Sequence, residues 1–450
     1  MMPMILRVIG APLVLAAVLL APVAAKAIDI QRVFSLGGIE AWLVEDRSLP
    51  IISARFVFTG GAATDPAGKE GLANMVSGLL DEGAGDLGSQ AFQQRLADQS
   101  ISLSFNASLD RFSGGLKTLT RNRDEAFDLL RLAVSQPRFD TMAVERIRAQ
   151  ITAGLAARAN NPNTIAQRTF REAVFSGHPY SRPVRGTPES VAAIAVEDLK
   201  TFVARRLARS ELVLGVVGDI SAAELGPLLD RTFGDLPERA EAFTIPKAEP
   251  AAGGELIVVE RDIPQSRVVF GQPGLYREDP DYYAALVLNH IVGGGSFTSR
   301  LYDEVREKRG LAYSVFSYLL PLESAAMWMG GVGTENAAVG QSIDIIRDQW
   351  ASLRELAVSQ EELDKAKANL IGSFGLRFDN SSAIAGTLAA VQVRDLGIDY
   401  LKKRNSLIEA VTLEDVRRVA GKILDPAALT VIVVGRPEGV AATQTISDGG

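Results

Sequence analysis

The sequence predicts an α+β fold of two homologous domains, each a mostly antiparallel sheet packed with helices, facing each other across a cleft. Three observations carry that reading. AIAVEDLKTFV at Ala193–Val203 resembles AVTLEDVRRVA at Ala410–Ala420, and each precedes a strand ending in VVG at the same interval, Glu197 to Gly218 and Glu414 to Gly435. ARFVF at Ala54–Phe58 matches SRVVF at Ser266–Phe270, each running into a glycine or proline turn and then a helix. Between the repeats, FTIPKAEPAAGG at Phe243–Gly254 has the composition of a linker. The domains are therefore 28–242 and 255–450, each long enough to bury its own core.

The elements follow from local pattern. Ile39–Glu45 and Ile51–Phe58 read as strands around a turn at Asp46–Pro50, and Gly60-Gly61 ends the second. Gly71–Leu80 and Gln90–Gln99 read as helices, Ile101–Leu109 alternates as a strand, and Arg111–Thr118 returns as its hairpin partner. Helices follow at Arg123–Val134 and Met142–Ala159, then an Asn-Pro loop at Asn160–Asn163 and a helix to Phe175. Prolines and glycines make His178–Pro188 a loop, after which Val196–Arg206 is a helix and Leu212–Val217 a strand. Strands joined by short turns, rather than regular strand–helix–strand alternation, favour antiparallel sheets with helices packed on them.

Composition narrows the setting. Residues Met1–Ala27 carry only Arg7 and Lys26 as charges, the run Val8–Ala25 is almost wholly apolar, and Ala25-Lys26-Ala27 fits a small-residue cleavage rule. This reads as a secretory signal peptide, with a retained anchor helix as the alternative, and places the chain in the periplasm with no stable membrane span after cleavage. Loss of those two positive charges takes the formal charge from −7 to −9, which argues against a nucleic-acid partner. Cysteine is absent, so disulfides and thiolate zinc sites are excluded.

The densest stretch is GGGSFTSRLYDEVREKRGLAY at Gly293–Tyr313. Three glycines permit close backbone approach and positive φ, and Ser296 offers a helix cap. Phe297, Leu301 and Val305 then recur on one face, expected to be buried, with Tyr302, Arg306 and Arg309 on the adjoining one. Gly310 stops the helix and LAYSVFSY begins a strand, so Arg306 and Tyr313 can approach one another. The bland alternative is a solvated arginine and a core ring. No Walker lysine accompanies the glycines, so phosphate cradling is not indicated.

In this order and spacing, the GGGSFTSRLYDEVREKRGLAY stretch, the HPYSRPVRGTPESV segment at His178–Val191, the VVG strands and the helix after Gly71 resemble the pitrilysin–insulinase (inverzincin) zinc peptidases. The likeness is to the short two-domain bacterial form, which is similar to mitochondrial processing peptidase subunits, and it covers the mature chain. It implies a peptide-binding cleft and zinc on an H-x-x-E-H helix, where two histidines one turn apart bind the metal and the glutamate activates water. Matching GLANMVSG to that motif puts Asn74 and Gly78 at the histidines, Ser77 at the glutamate, and Gly154 at the downstream ligand. None can serve, and the only two histidines, His178 and His290, lie elsewhere. Asp81 and Glu82 lack a nearby imidazole and read as acidic surface. Arg306 and Tyr313 match the family's arginine and tyrosine that hold the substrate carbonyl, whereas Arg309 is offset from the pattern.

What the resemblance implies is a subunit without zinc, paired with a paralogue that carries an intact H-x-x-E-H motif and the zinc. This chain would supply Arg306 and Tyr313, with Gly293, Gly294, Gly295 and Ser296 binding substrate backbone by strand addition. A homodimer, a non-catalytic peptide-binding or scaffolding protein of the same fold, and a metallopeptidase active alone are the competing readings.

Overall fold

The computed structural model describes residues 29–251, 253–356 and 358–447, so the signal-peptide segment lies outside the described residues. The first sheet comprises β1 (Gln31–Phe34), β2 (Glu40–Glu45), β3 (Ile51–Thr59), β6 (Ser102–Ala107), β7 (Arg111–Leu119) and β8 (Leu212–Gly218), in the order β1-β2-β8-β3-β7-β6. A two-stranded hairpin, β4 (Gly83–Ala84) and β5 (Leu87–Gly88), stands apart. The second sheet comprises β9 (Leu256–Glu260), β10 (Gln265–Pro273), β11 (Ala312–Pro321), β12 (Ala326–Glu335), β13 (Thr430–Gly435) and β14 (Gln444–Ile446), in the order β11-β12-β10-β13-β9-β14. Read from opposite ends the two orders coincide: β3 answers β10, β8 answers β13, β7 answers β12 and β6 answers β11. Only the outermost strand differs. β1 precedes its neighbour in the chain and runs antiparallel to it, whereas β14 returns from the far end and runs parallel to β9.

Each sheet has its own helix-covered core. Phe56, Phe58, Phe112 and Leu116 pack beneath helices of the first half, and Phe270, Trp328, Val332 and Val433 beneath those of the second. The opposite faces are covered by exchange. The Pro162–Val174 helix of the first half lays Ile165, Phe170 and Val174 on Val269, Met329 and Ile432 of the second sheet. The Ser381–Val393 helix of the second half lays Ala385, Leu388 and Val391 on Trp42 and Val217 of the first. Glycine at the crossing points permits the approach. A Cβ on Gly215 would stand 2.4 Å from the Ala385 carbonyl oxygen, and one on Gly271 would stand 2.7 Å from the Phe170 ring. The expected cleft between the domains is therefore filled along this contact by interlocked helices.

The connection between halves is anchored as well. Residues 240–255 hold no helix or strand among the described residues. Even so, Ala248 N–H donates to the Ser324 carbonyl at 2.7 Å, His178 Nε2 lies 2.8 Å from the Pro246 carbonyl, and Arg206 stacks 4.5 Å from the Phe243 ring. Buried Tyr180 donates to Asp110 Oδ1 at 2.5 Å and accepts from Ser324 N–H at 3.0 Å, while Asp110 Oδ2 accepts from Glu323 N–H. His178 is thus a structural clasp, as its place in a proline-bracketed loop suggests.

Candidate functional site

The helix that answers the metal motif is present but short, Leu72–Ser77, with Gly71 entering in the left-handed conformation and Gly78 closing it. Asp65 anchors its start, accepting from Gly71 N–H at 2.9 Å and Ala73 N–H at 3.1 Å. Burial pushes this carboxyl up to about 7, against the opposing pull of the backbone donors at Ala73, Gly71 and Leu72. At the positions where ligands are implied, Ser77 Oγ donates back to the Asn74 carbonyl at 2.7 Å, the common fate of a helical serine. Gly78 faces Ile147 on the neighbouring Thr141–Ala159 helix, whose Cγ2 methyl lies 3.3 Å from where a residue-78 Cβ would be. Gly154, two turns further along, has open space beside it. An amide, a hydroxyl that bonds its own helix and two glycines do not fit a zinc ion. Among the described residues no three His, Cys, Asp or Glu side chains converge on a common point. Glu82 pairs instead with Arg146 and Ser89 Oγ, and Gln93 bonds Asp81.

The Gly293–Tyr313 stretch folds differently from simple helical phasing. The backbone passes through a π-helical turn at His290–Gly294, a 3₁₀ turn at Ser296–Thr298 and a second π-helical turn at Tyr302–Glu307. These changes of pitch break the expected phase. Leu301 and Val305 are fully buried, but Phe297 is 74 % exposed and packs edge-on against Tyr302, which takes the buried place instead. Ser296 does not cap a helix. It holds φ of +50°, while none of Gly293, Gly294 and Gly295 has positive φ. The three glycines serve close approach: a Cβ on Gly293 would meet Ser317 of β11 at 2.6 Å, one on Gly294 the Asn289 amide at 2.6 Å, and one on Gly295 the His290 carbonyl at 2.7 Å. Beneath Gly295, His290 Nε2 is buried with no hydrogen-bond partner among the described residues, and burial lowers the pKa of the ring. A cavity of about 700 Å³ opens beside this turn, bounded by His290, Phe297, Arg300 and Glu362.

Gly310, at φ of +63°, ends the helical turn, and β11 begins two residues later. Its register against β12 slips between Ala312 and Ser314, so Tyr313 is the extra residue of a β-bulge. A bulge re-aims the side chain it carries. Tyr313 is 82 % exposed, and its ring centroid lies 5.0 Å from the Arg306 guanidinium carbon, which is also 4.8 Å from the Tyr302 ring. The guanidinium thus lies within cation–π distance of two aromatic rings, each contact worth about 0.5–1 kcal/mol at an exposed site. Its nearest acidic contact is Glu307 at 4.0 Å. Arg309 is spent differently: it pairs with Glu304 at 2.5 Å and bonds the Glu304 carbonyl at 2.7 Å. Of the two arginines, Arg306 is the one left with donors for a ligand.

Sequence reasoning placed Tyr302 on the face of Arg306, one turn before it, but gave it no part in the site. It also missed the bulge, for which a single sequence carries no marker.

The geometry agrees with what comparison with known proteins finds. The family model described as "Insulinase (Peptidase family M16)" matches residues 42–188, and "Peptidase M16 inactive domain" matches residues 193–370. The chain belongs to the M16 peptidase family. It is similar to a Helicobacter pylori protein named "Non-peptidase homolog YmxG", 27 % identical over 83 % of this chain and 86 % of that one. It is also similar to a Schizosaccharomyces pombe "Probable mitochondrial-processing peptidase subunit beta", 28 % identical over 59 % of this chain and 60 % of that one. Among solved structures, a "peptidase M16 inactive domain" from Pseudomonas fluorescens superposes with a TM-score of 0.84 at 28 % identity, covering 92 % of this chain and all of the other. In this M16 chain, Asn74, Ser77, Gly78 and Gly154 carry no imidazole or carboxylate, and Arg306 lies close to both Tyr302 and Tyr313.

Proposed function

We propose that this M16 chain is the zinc-free subunit of a heterodimeric periplasmic metallopeptidase, supplying Arg306 and Tyr313 to a paralogous subunit that carries an intact H-x-x-E-H motif and the zinc. The observation that carries the reading is the asymmetry of the site. The metal positions Asn74, Ser77, Gly78 and Gly154 carry no imidazole or carboxylate, while Arg306 lies beside Tyr302 and a bulged, exposed Tyr313, its closest acidic contact Glu307 at 4.0 Å. A guanidinium and a phenol so placed donate hydrogen bonds to a peptide carbonyl and strengthen them as negative charge develops on its oxygen. The contact between the two halves is filled by exchanged helices, so the peptide chamber lies on the face turned to the partner. Edge strand β11 and the adjoining Gly293–Ser296 turn offer that peptide backbone pairing.

The test is to co-purify the chain with an H-x-x-E-H paralogue and measure turnover for wild type, Arg306→Ala and Tyr313→Phe. A large loss in both variants, with the dimer intact, supports the reading. Unchanged turnover removes the pair from the mechanism and favours a peptide-binding scaffold. Chelator-sensitive cleavage by the chain alone overturns the assignment of the metal positions.

A further inference from the structure

On the face of the second sheet opposite its helices, an arginine is held without a counter-ion. Arg267 sits on β10, directly opposite Gly333 of β12. Its Nη1 lies 3.2 Å from the point where a Gly333 Cβ would be, and its guanidinium carbon is 5.9 Å from the ring of Phe316 on β11. Neighbouring strands are about 4.8 Å apart, so the side chain, rooted two strands inward, crosses β12 along a lane that glycine leaves open and ends beside the edge strand. Phe316 lies over Gly331, two residues along β12 on the same face, and stacks on Tyr318 at 6.2 Å.

This guanidinium makes no ion pair among the described residues, and its Nε is buried without a hydrogen-bond partner. Burial lowers its pKa, with no neighbouring charge acting on it in either direction. The equivalent arginine of the first sheet, Arg55 opposite Gly115, is at least bonded to Ser113 Oγ at 3.0 Å. A half-buried cation with an orphaned donor carries a desolvation cost that an anionic ligand relieves.

Resting on the peptide-binding reading above, we infer that Arg267 selects peptides bearing a carboxylate, paired with the guanidinium when the peptide lies along β11. A strand added at that edge turns alternate side chains toward the Phe316 face, within reach of Arg267. The carboxylate is a Glu or Asp side chain or the peptide C-terminus. The chain's overall negative charge points, by itself, toward basic peptides, and this local cation opposes it.

The experiment is fluorescence anisotropy with the purified chain and three degenerate, labelled peptide pools. One contains Asp and Glu with an amidated C-terminus, one contains Asn and Gln in their place with the same amide end, and one contains Asn and Gln with a free carboxyl end. A charge-assisted hydrogen bond predicts about tenfold tighter binding for an acid-bearing pool than for the neutral one at low salt. Whichever acid pool shows it identifies the source of the carboxylate. Arg267→Met is expected to abolish the preference and Arg267→Lys to retain part of it, since lysine keeps the charge but not the bidentate fork; a thermal melt reports whether each variant is folded. Equal binding of all pools by the wild type, or an undiminished preference in folded Arg267→Met, overturns the carboxylate assignment and leaves peptide binding standing. Failure of every pool to bind overturns the peptide-binding reading and this inference with it.

Discussion

The two halves repeat the same strand order and the same kind of packing, and then diverge at the edge. In each, a phenylalanine on the central strand lies across a glycine on the next: a Cβ on Gly114 would stand 2.2 Å from the Phe56 ring, and one on Gly330 would stand 2.2 Å from the Phe270 ring. In each, an Asp-Pro turn, Asp65-Pro66 and Asp279-Pro280, leads from that strand to a helix. The edges then part. β6 carries Ser102, Ser104 and Asn106 beside a helix emptied of metal ligands, whereas β11 carries Tyr313, Phe316 and Tyr318 beside Arg306 and Arg267. The difference teaches that packing requirements hold both scaffolds alike, while the polar and aromatic side chains that a ligand would use are concentrated at one edge only.

The largest test of that contrast is functional. In a complex with a zinc-carrying paralogue, Arg306→Ala is expected to lower kcat by about 100-fold, the effect of removing one transition-state donor. Asn74→Ala and Ser77→Ala in the same complex are expected to leave kcat within about twofold, because an amide and a hydroxyl bonded to its own helix supply neither metal ligand nor general base. Steady-state kinetics on the three variants decides it; comparable losses at both places would erase the asymmetry.

The scaffold should behave in the opposite way, with equal losses in the two halves. Gly114→Ala and Gly330→Ala each force a methyl group into a phenylalanine ring, at a cost of about 2 kcal/mol. Urea unfolding followed by circular dichroism is expected to give similar midpoint shifts for both. A loss confined to one half would show that the repeat is only apparent.

Much of this was legible in the sequence because it is local. The Val196–Arg206 helix, the VVG strands and the stop at Gly310 follow from capping, periodicity and left-handed glycine, and the approach of Arg306 to Tyr313 follows from a helix, a stop and a strand in immediate succession. What was not legible is set at a distance. The π-helical and 3₁₀ turns that expose Phe297 and bury Tyr302 depend on packing against β11. The exchange of the Pro162–Val174 and Ser381–Val393 helices depends on faces that amphipathic patterns describe without naming a partner. β1 and β14 are short edge additions with little pattern of their own.

Two aspartates near the Asp-Pro turns, Asp65 in the first turn and Asp281 just after Pro280 of the second, sharpen the comparison through pH. Asp65 is raised to about 7 by burial, so its ionisation opposes folding; its contribution to stability is greatest below the unfolded value of about 4 and declines as pH rises toward 7. In the second half, Asp281 bonds Arg418 and Lys422, which hold its pKa below the ordinary carboxylate value despite partial burial. Its contribution is present above about pH 4 and is lost as pH falls through the lowered value. Melting curves from pH 3 to 8 are therefore expected to show the difference between wild type and Asp65→Asn shrinking as pH rises, and that between wild type and Asp281→Asn growing over the lower part of the range. Parallel curves for both variants would refute the opposite environments assigned to Asp65 and Asp281.

The smallest expected effect tests the emptied site itself. Gly154 lies inside the Thr141–Ala159 helix, with nothing within 4 Å of where its Cβ would be and no positive φ to require glycine. In a helix interior glycine is about 0.8–1 kcal/mol less favourable than alanine, through the backbone freedom it loses on folding. Gly154→Ala is therefore expected to stabilise the chain by up to about 1 kcal/mol and to leave turnover of the complex unchanged, measured by urea unfolding and the same kinetic assay. If a substrate or the partner needs the space beside Gly154, the methyl group would lower turnover without lowering stability. That outcome would give the vacated ligand position a use, whereas a silent, stabilising substitution leaves it as room that the lost chemistry no longer fills.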